Sequence, residues 1–371
     1  MSTEVLGDRA LNRATLARQL LLRRAALSPL EAVEHLVGMQ AQVPLDPYLG
    51  LWSRLERFQP EELGRLLEER KVVRIVAMRG TLHLLTAADC LVLRPLAQPL
   101  LDRELARHPQ HGPALDGVDL DSVLSFARPL LAERPRTGPE LRAALAERFP
   151  AHDPAALAYA CRNHLPFVQV PPRGVWGKTA QVTGTTAEAW LGKPLAADPP
   201  VGDVVLRYLA AFGPATVADV SAWSGLTGMR EVVDRLRPRL RSFRDERGRE
   251  LLDLPDAPRP NPRTPARPRF LPEYDNLLLS HADRSRFGPP EHRGPLSAAW
   301  VRGGGSVLVD GFLRGVWRIK RDRDNGMAVL VVSHVRPLAK KAAASLAAEG
   351  GRLLRFLAAD AAVHEVRFER V

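Results

Sequence analysis

Ser28-Pro29-Leu30-Glu31-Ala32-Val33-Glu34-His35-Leu36-Val37-Gly38-Met39-Gln40-Ala41-Gln42-Val43-Pro44 reads as one short helix and its exit. A serine followed three residues later by glutamate, with proline at the first helical position, is a capping box, in which side chain and backbone satisfy each other's free groups. Leu30, Val33, Leu36 and Val37 recur with helical spacing and supply an apolar face. Glycine closes the helix, and Pro44 cannot continue one and biases Val43 towards an extended conformation. In an extended segment residues two apart point to the same side. Gln40 and Gln42 would then present two neutral amides, each donor and acceptor, to one point in space. The plainer alternative is a solvated helix end or a pair of local backbone caps.

The surroundings of this stretch supply a repeating unit. Before it, residues 6–26 carry Leu11, Leu16 and Leu20 against Arg13, Arg18, Arg23 and Arg24, the pattern of an amphipathic helix with a cationic outer face. After it come a helix over 60–70 and two β-rich runs, 72–77 and 81–85, around Met78-Arg79-Gly80. Three helices and a hairpin in that order are the parts of a winged helix. The formula returns with helices over 120–131, 141–149 and 153–163, the second opened by Thr137-Gly138-Pro139-Glu140, and a hairpin from 167–170 and 175–182. A third copy has helices over 201–212, from Thr216-Val217-Ala218-Asp219 to 224, and over 227–236, with a hairpin from 240–243 and 250–254. Ser28, Thr137 and Thr216 sit at equivalent places, and agreement between copies is what marks a repeat.

Residues 256–269 are largely proline, arginine and small polar residues, including Arg259, Arg263, Arg267 and Arg269; such a run builds no core and reads as an extended linker. Its arginines either follow a phosphate backbone or are simply solvated. Beyond it β-rich runs at 307–310, 315–319, 327–333 and 363–368, with one helix over 338–358, describe a mixed β domain. The expected division is 1–112, 113–197 and 198–256 for the three winged helices, 257–269 for the linker and 270–371 for the last domain.

The 371 residues are 45% hydrophobic and 26% charged, an ordinary globular composition. A formal net charge of +11 and a pI near 10.4 favour a polyanionic partner, nucleic acid first and an acidic membrane surface second. The abundance of Arg, Ala, Leu and Pro also fits a coding bias. No apolar run approaches the ~20 residues that span a bilayer, and Glu4 and Asp8 do not fit a signal peptide, so a cytoplasmic, nucleoid-associated protein is expected. Cys90 and Cys161 lie in apolar helical contexts and read as buried structural thiols.

Strong catalytic signatures are missing: there is no phosphate-binding glycine loop, paired Cys-x-x-Cys, His-Glu-x-x-His or nucleophile elbow. His281-x-Asp283 lacks a clustered third ligand and is better read as orienting Arg284 or Arg286, and neither a metal nor a cofactor is expected. Trp176, Trp300 and Trp317 are candidates for stacking on bases, although packing near strand ends is the commoner use of tryptophan.

Over nearly its whole length the chain resembles the AlkZ-type winged-helix DNA glycosylases. The resemblance rests on Gly38-Met39-Gln40-Ala41-Gln42, Met78-Arg79-Gly80-Thr81-Leu82-His83, Pro272-Glu273-Tyr274-Asp275-Asn276-Leu277-Leu278-Leu279-Ser280-His281-Ala282-Asp283-Arg284, and Val309-Asp310-Gly311 followed by Gly315-Val316-Trp317. It implies an α+β fold of three tandem winged helices and a C-terminal mixed β domain, C-shaped around a DNA channel. It implies catalysis by Gln40 and Gln42 in the family's Gln-x-Gln form. Arg79, His83, Asn276, His281, Arg284 and Arg286 are carried over as candidate DNA contacts, and Asp275, Asp283 and Asp310 as structural residues.

Two amides suit one kind of substrate. N7-alkylation makes guanine a cationic leaving group that needs no protonation, leaving the enzyme to stabilise an oxocarbenium-like sugar and place a water. The resemblance therefore implies cationic N7- or N3-alkylpurines in double-stranded DNA, including bulky adducts and interstrand crosslinks of natural-product alkylators, handled by a monomeric, monofunctional enzyme. A winged-helix transcriptional regulator and a non-catalytic DNA-binding protein are the competing readings; neither would release a base.

Overall fold

The three expected capping boxes form. Ser28, Thr137 and Thr216 accept hydrogen bonds from the backbone N–H groups of Glu31, Glu140 and Asp219, whose carboxylates accept in return from the three capping residues' own N–H groups. They open the helices Pro29–His35, Gly138–Arg148 and Val217–Ser224. Each follows a longer helix, Asp8–Arg18, Leu120–Glu133 or Val201–Phe212, and is followed by a further helix and a hairpin. The protein, seen here as a computed structural model, is a mixed α+β chain described at residues 4–289, 291, 294, 296 and 304–371. Trp300 lies outside the described residues.

Where sequence and structure part, tertiary packing is the cause. The first helix is shorter than 6–26: it ends at Arg18, and Leu20 turns into the left-handed region at φ +57°. Its arginines do not form an outer face, because Arg13 and Arg18 are buried. Arg18 donates through Nη1 and Nη2 to the two carboxylate oxygens of Asp253, at 2.6 and 2.8 Å, and Arg13 donates to Asp310 at 2.5 Å. Two helices were not expected, Asp46–Arg54 and the 20-residue Ala87–Ala106, which runs through Pro95 and Pro99. The strand expected over 175–182 is absent. Gly174 and Gly177 both take positive φ, breaking the extended run, and the strand that pairs with Phe167–Gln169 is Thr183–Thr186.

The hairpins of the first two units join into one six-stranded sheet. Its order is Met39–Gln40, Leu82–Thr86, Val72–Val76, Phe167–Gln169, Thr183–Thr186 and Arg136–Thr137, with Arg74 and Ile75 pairing directly with Gln169 and Val168. The third hairpin, Arg241–Asp245 with Glu250–Asp253, is extended instead by Val5–Leu6 from the other end of the chain. The last region is a five-stranded sheet of Arg269–Leu271, Gly305–Val309, Phe312–Asp322, Met327–His334 and Val363–Arg370. The helix Lys340–Leu357 covers it, burying Leu346, Leu353 and Leu354 among its side chains.

The proline- and arginine-rich segment is partly fastened. Arg259 donates to Asp253 and to two carbonyls, and Arg269 is buried at the start of a strand, whereas Arg263 and Arg267 are exposed. Trp176 packs against Tyr48 and Phe356 at centroid distances of 5.1 and 5.2 Å, and Trp317 is buried with its indole N–H donating to Leu271; both are packing residues. Cys90 and Cys161 are buried free thiols, their pKa values pushed up to about 12 by burial. Among the described residues no helix is long and apolar enough to cross a membrane.

Removing Asp253 alone leaves the cation of Arg18 buried without its partner. We expect Asp253→Ala to lose about 3–5 kcal/mol, read as a lowered urea midpoint, and Arg18→Met combined with Asp253→Leu to recover most of it, since a buried ion pair gains little over an apolar pair.

Candidate active site

The stretch from Gly38 to Ala41 is held along its main chain. Gly38 takes φ +89°, and a Cβ there would lie 2.3 Å from Leu85, so both conformation and space require glycine. Asn276 brackets the strand: its Nδ2 donates to Gly38 O at 3.0 Å and its Oδ1 accepts from Gln40 N at 3.3 Å. Ala41 N donates to Leu82 O at 2.7 Å, and Arg74 Nη2 donates to Ala41 O at 2.9 Å. Ala41 itself is fully buried, which explains a small residue between the glutamines.

The two amides do not share one surrounding. The strand is only Met39–Gln40, with Gln40 paired to His83, and the chain bends at Gln42. Gln40 is buried, and its Oε1 accepts from Arg79 Nη2 at 2.8 Å. A guanidinium has only donors, so the atom facing it must be the amide oxygen. Gln40 is therefore left with its amide hydrogens. Gln42 is exposed, and among the described residues its side chain has no hydrogen-bond partner.

Arg79 sits at the hairpin tip with φ +56° and is fixed from two further sides. Its Nη1 donates to Trp223 O at 2.9 Å, a carbonyl at the end of the helix Val217–Ser224, where positive charge is favoured. His83 is buried, and its Nδ1 donates to Thr81 O at 2.8 Å, which leaves Nε2 as an acceptor 3.4 Å from Arg79 Nη2. Burial, and then the charge of Arg79, lowers the His83 pKa to about 3, so it stays neutral. Burial and then nearby Arg284 lower Arg79 to about 10, leaving it a cation at neutral pH.

Gln40, Arg79, His83 and Asn276 thus form one network, and Gln42 is next to it. His281 and Arg286 do not join it. Both are buried: His281 Nε2 donates to Phe212 O at 3.1 Å, and Arg286 Nη1 donates to Pro214 O at 2.8 Å and to Thr15. They stabilise the packing of the third unit and cannot reach a DNA strand. Asp283 accepts from Arg247 and Arg249, and its charge also acts on Arg286. Arg284 is half-buried close to Arg79.

Sequence reasoning missed the acid beside Gln40. A cavity of about 10 Å³, at the lower limit of what holds one water, lies between Gln40, Asp46, Arg54, Tyr274, Asp275 and Asn276. Asp275 is engaged by Arg54 in a buried bidentate pair, with both contacts at 2.8 Å. Among the described residues Asp46 has no such partner and accepts only from Tyr274 N at 3.5 Å. Burial raises its pKa to about 7. In the sequence it looks like an ordinary acidic residue at a helix start; only the approach of residues 272–276 buries it.

The sequence profile of the family DNA glycosylase AlkZ-like matches residues 33–356. Among solved structures, the Streptomyces sahachiroi DNA glycosylase AlkZ superposes with a TM-score of 0.79 at 22% identity, covering 99% of this chain and 100% of that one. No curated protein matches the sequence.

A carboxyl whose pKa is higher in the fold than in the unfolded chain adds stability below about pH 4 that is lost as pH rises through about 7. Asp46→Asn lacks that loss. Its stability should match wild type near pH 4 and exceed it by up to about 4 kcal/mol at pH 8, measured by denaturant titrations across pH.

Proposed function

Since the chain belongs to the AlkZ-like DNA glycosylases, we propose that it is a monofunctional enzyme that hydrolyses the glycosidic bond of cationic N7- and N3-alkylpurines in duplex DNA. Its substrates extend to bulky adducts and interstrand crosslinks left by natural-product alkylators, in base excision repair or self-resistance of a producing cell. The three helix-and-hairpin units act as winged helices and, with the C-terminal β domain, line a concave DNA channel. The enzyme works as a monomer on the nucleoid. What carries this reading is the Gln-x-Gln stretch, locked along its main chain yet ending in one free amide.

The chemistry follows from the positions. Breaking the bond between the sugar C1′ and the base leaves both electrons on the base, which neutralises it, and leaves the sugar as an oxocarbenium ion; a water adds at C1′ and loses a proton. Because the leaving group is already cationic, no acid is required, and the catalytic task is to stabilise charge with dipoles that are already oriented. Arg79 holds the oxygen of Gln40. The amide N–H groups of Gln40 are then what it offers to a water or sugar oxygen. The carbonyl that faces the developing cation is that of Gln42. This division of labour departs from the sequence-based picture of two amides presented alike to one point in space.

Among the described residues no lysine lines either cavity next to the glutamines.

On duplexes carrying N7-methylguanine or a natural-product N7 crosslink, Gln40→Ala and Gln42→Ala should each slow base release on the order of 10²-fold while DNA affinity is retained. Wild type that binds DNA but frees no base would favour the regulator or the passive DNA-binding protein instead. Borohydride should trap no covalent complex; a trapped one refutes the monofunctional mechanism.

A further inference from the structure

Gln42 borders a second, larger recess of about 180 Å³, open to solvent, between the first and second units. One wall is the hairpin tip at Gly80; the others are Glu104 at the end of the helix Ala87–Ala106, Tyr159 and Arg162 from the helix Pro154–His164, and Phe167. The volume is below the ~300 Å³ at which drug-sized sites begin and suits a single flat ring system. Tyr159 and Phe167 are half-buried and offer aromatic surface.

The recess carries one acid, Glu104, and one cation, Arg162, both exposed to solvent. Among the described residues, no ion pair or hydrogen bond engages the Glu104 carboxylate, although Arg162 shares the same recess. The carboxylate rests against the backbone of Gly80: a Cβ there would lie 2.3 Å from Glu104 Oε2, so glycine at the hairpin tip is what leaves it room. The tip thereby divides the site, with the cation Arg79 bound to Gln40 and the anion Glu104 on the side of Gln42.

We propose that this recess receives the alkylated purine, with Glu104 selecting for the positive charge that alkylation places on the ring. The assignment rests on the glycosylase reading above and adds to it a binding site and the source of its charge preference. As the glycosidic bond breaks, positive charge leaves the base for the sugar. Glu104 therefore attracts the substrate more than the transition state, so it strengthens binding and slows the bound complex, leaving kcat/KM little changed.

The test uses three duplexes of one sequence. One carries N7-methylguanine on a 2′-fluoro sugar that resists cleavage, one carries its neutral isostere 7-methyl-7-deazaguanine on the same sugar, and one is unmodified. Wild type should prefer the cationic duplex over the neutral one by about three- to fivefold, the scale of one solvent-screened charge contact. Glu104→Gln should abolish that preference, Glu104→Asp should keep part of it, and affinity for unmodified DNA should be unchanged in both, which also reports that they are folded. With N7-methylguanine on a normal sugar, Glu104→Gln should raise KM and kcat together and leave kcat/KM little changed. If Glu104→Gln retains the charge preference while wild type releases N7-methylguanine, this inference fails and the glycosylase reading stands. If wild type neither prefers the cationic duplex nor releases the base, both fail.

Discussion

The bidentate pair between Arg54 and Asp275, with both side chains almost wholly out of water, is the constraint on which the site geometry depends. Two charges withdrawn from solvent are tolerable only when the match is close, and any shift that opens it is strongly resisted. The next residue after Asp275 is Asn276, whose amide bonds to Gly38 and Gln40. The register of the Gln-x-Gln strand is therefore set by a segment more than two hundred residues further along the chain. The same segment buries Asp46 and closes the small cavity beside Gln40. Its run from Pro272 to Arg284 acts mainly as a clamp.

What was legible in the sequence was what is local. Ser28, Thr137 and Thr216 bond to residues three positions away, so their capping boxes could be read without knowing the fold, and the helices they start followed. The glycine and the small alanine of the Gln-x-Gln stretch were legible for the same reason. Arginine was not. Arg13, Arg18 and Arg286 look like surface cations on any helical wheel, yet each is buried by partners between about seventy and three hundred residues away. The proline-containing helix Ala87–Ala106 was hidden because proline reads as a stop when packing cannot be seen. Of the candidate site, Gln40 and Gln42 stand out in the sequence, whereas Asp46 and Glu104 do not, since nothing in their own neighbourhoods marks them.

Part of the arginine is thus internal scaffolding. Arg13, Arg18, Arg54, Arg74, Arg94, Arg269 and Arg286 are all buried, and Arg74 and Arg94 are lowered to about 10 by burial. Among the described residues as many acids are buried, Asp253 and Asp275 with them, so the surface keeps the net positive charge of the chain. Arg-to-Lys replacements inside this chain are not conservative, since a lysine cannot reproduce a two-pronged contact.

The sheet that joins the first two hairpins has a consequence for taking the protein apart. Val72–Val76 is an interior strand only because Phe167–Gln169 pairs with it. A fragment ending near residue 112 would expose that strand as an open edge, apolar at Val72, Val73 and Ile75 and unprotected by proline, the kind of edge that recruits other chains into aggregates. The first two units are therefore one solubility unit, and the second serves as a protective cover for the first.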